Sequence, residues 1–577
     1  MRVAGSRSMG ASIPISNNTT ETFVEPFPRA SDAEELAKSD LWIFRDGRRD
    51  LSGPVFLHQL QQQLATSDSV LDCLIQAGEL EAALGDLNSP STSIAASLTD
   101  SLAHDLLAGS ARPSQSAEQL ARQVVVPGSI GISPPEGFTY YALHPLDFAM
   151  AAEKLADIAA SFAIIGIRSI GTTLSAVVAA ALNRLGKRVN RISVRPAGHP
   201  YARNAKFSAS QSLWISEQLA GSAHFLIIDE GPGRSGSTFL SVAEALADAG
   251  VSNGGITIIG SRQFEPAGLC AKDAAARWRR FRFVATTPSL SSRFAKWLYL
   301  GGGDWRRQFL GEEKAWPESW TQMERFKVLS PDQREFIKFE GMGRTGREAR
   351  IRAFVLADAG FSPAATDVGD GFLSYATVNG KHLSKDDIDS SFLQQIARYC
   401  AFRASEFRQS ATNGFELEKM LVHNVQQEFG RELKLQAGML ATGEPVLADG
   451  RMQPYEWVVT PDDKLIKTDG TSHGDDHFFP GPCGIAWDLA GVILEWDLDQ
   501  QAREFLLAKF REFSGMAISR ELDAYLLAYC VFRLGFCKMA RSTVPGTREE
   551  QRLHSAYLRY RTAAAAMLNR SFSYQMP

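Results

Sequence analysis

Two short stretches of the 577-residue chain carry residues whose types and spacing suit chemistry on phosphorylated ligands. In the first, an apolar run, Phe225–Ile228, ends in two acids, Asp229-Glu230. It continues through Gly231-Pro232-Gly233-Arg234-Ser235-Gly236-Ser237-Thr238 into amphipathic sequence. Glycines let backbone N–H groups turn toward an anion, Ser and Thr hydroxyls donate to it, and a helix starting there adds the positive end of its dipole, which makes a phosphate cradle. Two carboxylates at a strand end, one turn from that cradle, are acceptors placed for the 2- and 3-hydroxyls of a sugar 5-phosphate. In the second stretch, REFIKFEGMGRTGREARIRAF, Lys338 stands mid-strand, an awkward place for a charge unless it serves a site. Glu348 follows at the start of a helix.

The elements that must position these residues follow from periodicity. SFAIIGI, TTLSAVVAAALNRLG, HFLIIDE, STFLSVAEALADAG and GITIIG alternate strand and helix, with Gly186 and Gly250 stopping the helices. Such alternation predicts a parallel sheet covered on both faces. Ligands of such sheets sit beyond the carboxyl ends of the strands, which points to the turns at 166–173 and 229–238. The stretch YLGGGDWRRQFLGEEKAWPESW then marks a boundary near 315. Beyond it come short strands (ERFKVLS, REFIKFE), a helix (GREARIRAFVLADAG), a hairpin-like segment (GFLSYATVNGK) and mostly helical sequence with one more hairpin at 457–469. Ahead of the parallel sheet, residues 1–31 read as a flexible tail and 32–119 as a helical region.

The first stretch resembles the type I phosphoribosyltransferases, whose hallmark is an apolar strand, two acids and a loop closing in Thr-Gly-x-Thr or similar. Ser235-Gly236-Ser237-Thr238 matches that closing segment, and IIGIRSIGTTLSAVVAAAL (164–182) resembles the family's diphosphate loop, turning at Gly166 and Gly171 into a helix. The resemblance implies an α/β, parallel-sheet domain over about 120–312 that takes phosphoribosyl diphosphate as substrate. It puts Asp229 and Glu230 on the ribose, Ser235, Gly236, Ser237 and Thr238 on the 5-phosphate, and Arg168 and Gly171 at the diphosphate. It makes SVRPAGHPYARNAKF the loop over the ligand, with Arg195, His199, Arg203 and Lys206 as diphosphate contacts. The loop after Glu230 is slightly longer than the family's, and Glu230 stands where Asp is commoner. Residues 231–238 also fit G-x-x-x-x-G-K-[ST] except that Ser237 replaces the lysine, the main counter-charge to the β- and γ-phosphates. A ligand-binding descendant without the chemistry is the rival for this domain, since folds outlive their activities.

A strand lysine held by a helix glutamate is how protein kinases and their relatives clamp the α- and β-phosphates of ATP. The order Lys338, Glu348, AGFSPAA, GFLSYATVNGKHL resembles the aminoglycoside phosphotransferase-like kinases, and LADGRMQPYEWVVTPDDKLIKTDG (447–470) is similar to their catalytic loop and following hairpin. This resemblance implies an α+β two-lobed kinase-like domain over about 316–577 that uses ATP and Mg2+. Lys338 and Glu348 would serve ATP, Asp449 would be the base, and Glu456, in the metal-binding Asn position, and Asp469 would be metal ligands. Asp488 in GIAWDLAG matches a structural Asp-Leu-Ala segment. The offset 469 − 456 = 13 suits two short strands and a turn, bringing both ligands to one magnesium. The offset 456 − 449 = 7 exceeds the family's five, Glu replaces Asn, and no His precedes the base. A second register reads His473-Gly474-Asp475 as the catalytic triplet but puts Pro480 at the Asn position, so the Asp449 register is preferred.

Two other patterns carry less. GTSHG (470–474) spells G-x-S-x-G, yet the DDHFFPGP that follows cannot supply the helix a nucleophile elbow turns into, so Ser472 is no nucleophile. His473, Asp475, Asp476 and His477 read as a solvated turn or a substrate-facing lip before a zinc site. With 61 Lys+Arg against 65 Asp+Glu, the net charge of −4 lacks the basic excess that nucleic-acid binding demands. No uncharged run reaches the roughly 18–20 residues that span a bilayer, and six scattered cysteines without a CxxC pair fit reduced thiols in a cytoplasm. The expectation is a cytoplasmic bifunctional enzyme acting on small metabolites, with no nucleic-acid or membrane partner and with self-association left open. A regulatory protein that binds phosphoribosyl or nucleotide ligands without turnover is the alternative.

Overall fold

The computed structural model describes residues 41, 48–67, 69–199, 201–233, 235–410, 412, 414–441, 443–476, 479, 481–518 and 521–570. The expected tail at 1–31 and residues Arg234, His477 and Pro480 lie outside them.

Helix formation begins at Ser69, whose hydroxyl accepts from the Asp72 N–H and so caps α1 (Val70–Asp86). Every residue of α1 from Val70 to Gly85 is buried, because it is enclosed on several sides. The flanking helices Gly53–Thr66, Thr92–Leu107 and Gln115–Gln123 share a core with it. That core extends to Ala176, Val177 and Ala180, which lie in the parallel-sheet unit. The strand Arg49–Ser52 also pairs antiparallel with Ser129–Ile132, across the division expected at 119. The N-terminal helices are therefore a layer of the α/β unit and not a region apart.

The parallel sheet follows the expected alternation. β1 (Ser161–Ile167), seven consecutive buried residues, lies next to the sheet edge and leads into α2 (Ile170–Arg184). β2 (Arg188–Val194), β3 (His224–Ile228), β4 (Ile256–Gly260) and β5 (Arg282–Ala285) complete the order β2-β1-β3-β4-β5, all parallel. Between β3 and β4 runs α3 (Ser237–Asp248). Gly186 and Gly250 terminate α2 and α3 with φ of +73° and +98°, a conformation that favours glycine.

A second sheet is antiparallel: β6 (Leu298–Tyr299), β7 (Lys327–Leu329), β8 (Glu335–Phe339), β9 (Ala365–Gly369) and β10 (Phe372–Ala376), in the order β6-β7-β8-β10-β9. The helix α4 (Gly343–Asp358) connects β8 to β9. Because β6 precedes residue 315, this lobe starts before the boundary placed there. A three-stranded sheet, β11 (Lys381–His382), β12 (Trp457–Val459) and β13 (Leu465–Lys467), introduces a lobe otherwise built of helices. Its centre is the helix Leu522–Arg541, buried through most of its length.

The two halves share an interior. Leu71 and Ile75 of α1, Phe138, Ile164 and Ile228 belong to one buried cluster with Ile337, Phe339 and Phe372 of the antiparallel sheet. All six cysteines are free, and no helix among the described residues is long and apolar enough to cross a membrane.

Gly171 sets how closely α2 approaches β3: a Cβ there would lie 2.5 Å from the carbonyl oxygen of Ile228. Gly171→Ala should lower stability in urea unfolding by about 1–3 kcal/mol. A midpoint equal to wild type would show that the contact has slack.

Candidate functional site

Alternation on β8 sends Lys338 inward, where it is 4% exposed at the edge of a cleft between the antiparallel sheet and the helical lobe. Its Nζ lies 2.6 Å from Asp469 Oδ1 and 3.3 Å from both Glu340 Oε1 and Ser472 Oγ. The expected partner, Glu348, is elsewhere: half exposed on α4, it pairs with Arg344 at 3.2 Å. Glu340, just past the end of β8, takes its place because residues two apart in extended backbone share a face, and Tyr375 on the neighbouring strand donates to Glu340 Oε1 at 2.7 Å. The i, i+2 spacing of Lys338 and Glu340 is the sequence signal for this pair. Burial disfavours the ammonium, but Asp469 and Glu340 together raise the Lys338 pKa. Burial likewise opposes the charged form of Asp469, and His473 and Lys338 hold it well below the usual carboxylate range.

Asp449 sits on a loop fixed from below. The N–H groups of Asp449 and Gly450 donate to Asp488 Oδ2 and Oδ1 at 2.8 and 3.0 Å, and Asp488 lies in the first turn of the helix Ala486–Glu495. Buried Arg403 joins this loop to the one after β13, donating to the carbonyl oxygens of Leu447 at 2.9 Å and Gly470 at 2.8 Å. The Asp449 carboxylate is fully buried, accepts from the Tyr399 hydroxyl, and lies 3.5 Å from Lys467 Nζ. Against the desolvation that burial imposes, Lys467 and His473 hold Asp449 well below its ordinary pKa. Burial and the nearby Asp449 charge push Asp488 up to about 6, although Arg403 opposes them.

His473 stands between the two acids, Nδ1 3.8 Å from Asp449 Oδ1 and Nε2 3.4 Å from Asp469 Oδ2. Its ring thus joins Asp449 and Asp469 in one cluster. Glu456, expected to face a magnesium with Asp469, instead accepts from Lys467 Nζ at 2.5 Å. Ser472 accepts from Lys338 and lies in a bend.

The stretch read as a mere separator lines the cleft. Between β6 and β7 it supplies Trp305, whose ring lies 5.6 Å from that of Tyr455 and whose Nε1 donates to Glu324 Oε1 at 2.9 Å. The sequence reading missed its role, although three glycines followed by tryptophans were a signal of a shaped loop.

The first site is more closed than its motif suggests. Asp229 and Glu230 end β3, but Glu230 Oε2 accepts from the Gly137 N–H at 2.6 Å and Asp229 Oδ1 from the Glu230 N–H at 2.9 Å. Burial pushes Asp229 up to about 7, and burial with the Glu136 and Asp229 charges raises Glu230 well above its ordinary value. Ser235 and Ser237 hydroxyls lie 3.0 Å apart, and Gly236, at φ +66°, turns the chain into α3 at Ser237-Thr238. Arg168 and Arg195, expected at a diphosphate, reach Asp86 Oδ1 at the end of α1, at 3.2 and 2.7 Å. Gly171 lets α2 approach β3, where a Cβ would lie 2.5 Å from the Ile228 carbonyl oxygen. His199 and Arg203 lie on the hairpin Ala197–His199/Ala202–Asn204, where Arg203 donates to the Gly198 carbonyl at 2.7 Å and His199 packs on Tyr201.

No protein-family model and no curated protein matches the chain. Among solved structures it is similar to choline kinase LicA from Streptococcus pneumoniae, at 14% identity over 42% of this chain and 89% of that one, with a TM-score of 0.31. It is similar to an ethanolamine kinase from Plasmodium vivax, at 12% identity over 42% and 78%, with a TM-score of 0.30. An aminoglycoside-3'-phosphotransferase of type VIII matches at 14% identity over 42% and 96%, with a TM-score of 0.26.

The raised Asp229 pKa gives a pH signature. In the folded chain this carboxyl titrates near 7, against about 4 when unfolded. The folded state therefore holds the extra proton in between, and stability falls as pH rises through that window. Asp229→Asn removes this loss, so its stability gain over wild type should grow from about pH 4 to about pH 7 and level off above. A difference between the two unfolding curves that stays flat across those pH values would contradict the burial of this acid.

Proposed function

We propose that the cleft between the antiparallel sheet and the helical lobe binds a nucleotide and passes a phosphoryl group to a small molecule. One observation carries the reading: Lys338, Asp469, His473 and Asp449, drawn from a strand and two loops, converge in one chain of contacts at the cleft. Lys338 has the position and charge to leave Asp469 for the phosphates of a nucleotide. Asp449, held ionised, is the proton acceptor for a substrate hydroxyl, which reaches it once the His473 ring turns aside.

A magnesium ion fits this cleft on one side only. Asp469 is a quarter exposed and its oxygens meet side chains that can move, so it suits an ion that neutralises phosphate charge. Glu456 does not suit one, because Lys467 already satisfies it. We further infer a phosphoribosyl ligand for the parallel-sheet unit, supported by the two acids at the end of β3 and the turn into α3. Such a ligand would exchange with Asp86 for Arg168 and Arg195 and with the Gly137 N–H for Glu230.

The regulatory alternative has an observation of its own, the complete burial of Asp449 beneath His473. Incubation of the full chain with ATP, Mg2+ and a metabolite extract separates the two. Turnover is expected, and Asp469→Asn should lower it on the order of a hundredfold or more with an unchanged melting temperature. Nucleotide binding with no transfer to any acceptor would favour the sensor, and absence of binding would end both. For the other unit, calorimetry with phosphoribosyl diphosphate should show that Asp229→Asn with Glu230→Gln weakens binding by about 1.5–3 kcal/mol per lost hydrogen bond. Equal affinity would remove these acids from the site.

A further inference from the structure

Lys467 touches neither the nucleotide nor the substrate in the reading above, yet its side chain is wholly buried at the centre of the cluster. An ammonium has three N–H donors. Here it meets Glu456 Oε2 at 2.5 Å and the main-chain oxygen of Asp469 at 2.5 Å, and faces Asp449 Oδ2 at 3.5 Å. Around the same point Asp449, Glu456 and His473 each bring one ligand atom within 4.8 Å of one another, a donor set and spacing that suit a divalent ion. The ammonium and a divalent ion cannot both occupy such a place, because like charges a few ångströms apart in a dry interior repel strongly. The lysine is not displaced cheaply either, since it comes from β13, whose register against β12 is fixed at Trp457↔Lys467 and whose Lys467 N–H donates to the Phe361 carbonyl at 2.8 Å.

We propose that Lys467 is a resident cation standing where a divalent metal would otherwise bind between Asp449 and Glu456, so that any metal of this cleft is held from Asp469 without Glu456. The lysine bridges the two buried carboxylates and, through the main-chain oxygen of Asp469, ties the loop that carries Asp449 to the one that follows β13. This concerns the same cleft as the phosphotransferase reading, but its test needs neither nucleotide nor turnover, so each can fail without the other.

The full chain is titrated with Mn2+ alone, and free ion is followed by electron paramagnetic resonance. The expected result is that Glu456→Gln leaves wild-type Mn2+ uptake unchanged. Lys467→Met, which strips the two carboxylates of their cation, should gain one Mn2+ per chain, and adding Glu456→Gln to that variant should abolish the gain. A folded Lys467→Met chain, judged by circular dichroism, that takes up no additional ion overturns the proposal. So does a wild-type affinity that falls about tenfold or more on Glu456→Gln, the loss expected when a group that holds a metal is removed. This second measurement decides the matter even where Lys467→Met fails to fold.

Discussion

A carboxylate taken out of water must meet a cation, a set of N–H donors or a proton, because an uncompensated buried charge costs several kcal/mol. Much of this fold is arranged around that constraint. Lys338 meets Asp469, Lys467 lies between Glu456 and Asp449, Arg191 meets Glu81, and Arg306 meets Glu549. Asp488 is satisfied by the two N–H groups that begin the Asp449 loop. Asp229 and Glu230 follow the third route: they accept from main-chain N–H groups and are pushed toward their protonated forms. Asp449 and Asp469 in the cleft are thus held as charges, whereas Asp229 and Glu230 are biased toward neutrality.

The same constraint ties the two halves together through α1. Asp72 near its start accepts from the Gly343 N–H at 2.7 Å and from Arg350 at 3.0 Å, anchoring α4. Asp86 at its end accepts from Arg168 and Arg195. They stand fourteen positions apart on the helix, about 21 Å, so one rigid rod supports a loop of the parallel-sheet unit and the helix behind the cleft. The segment 136–139 bridges likewise: the Gly137 N–H donates to Glu230, while the Phe138 carbonyl accepts from the Met342 N–H at 2.9 Å. Both candidate sites therefore rest on shared supports, and the buried cluster spanning the two sheets fills the space between.

Element type and order were legible in the residues themselves. The apolar run of β1, the amphipathic period of α3, the glycines that close α2 and α3, and the inward place of Lys338 all depend on residues a few positions apart. Backbone sterics and side-chain periodicity act at that range. Partnership was not legible. Glu348 and Glu340 both follow Lys338 in sequence, ten and two residues on, and only the face on which each side chain lies decided for Glu340. Lys467, in the run KLIK, has the composition of a surface strand, and only the placement of β13 beneath the Asp449 loop made it an interior cation. Asp86 and Gly137 come from segments that carry no motif, 82 and 93 residues from the side chains they meet. Local chemistry dictates which turns and strands form and which side chains face inward, whereas the neutralisation of each buried charge depends on which distant segment the packing brings within about 3 Å of it, the reach of a hydrogen bond.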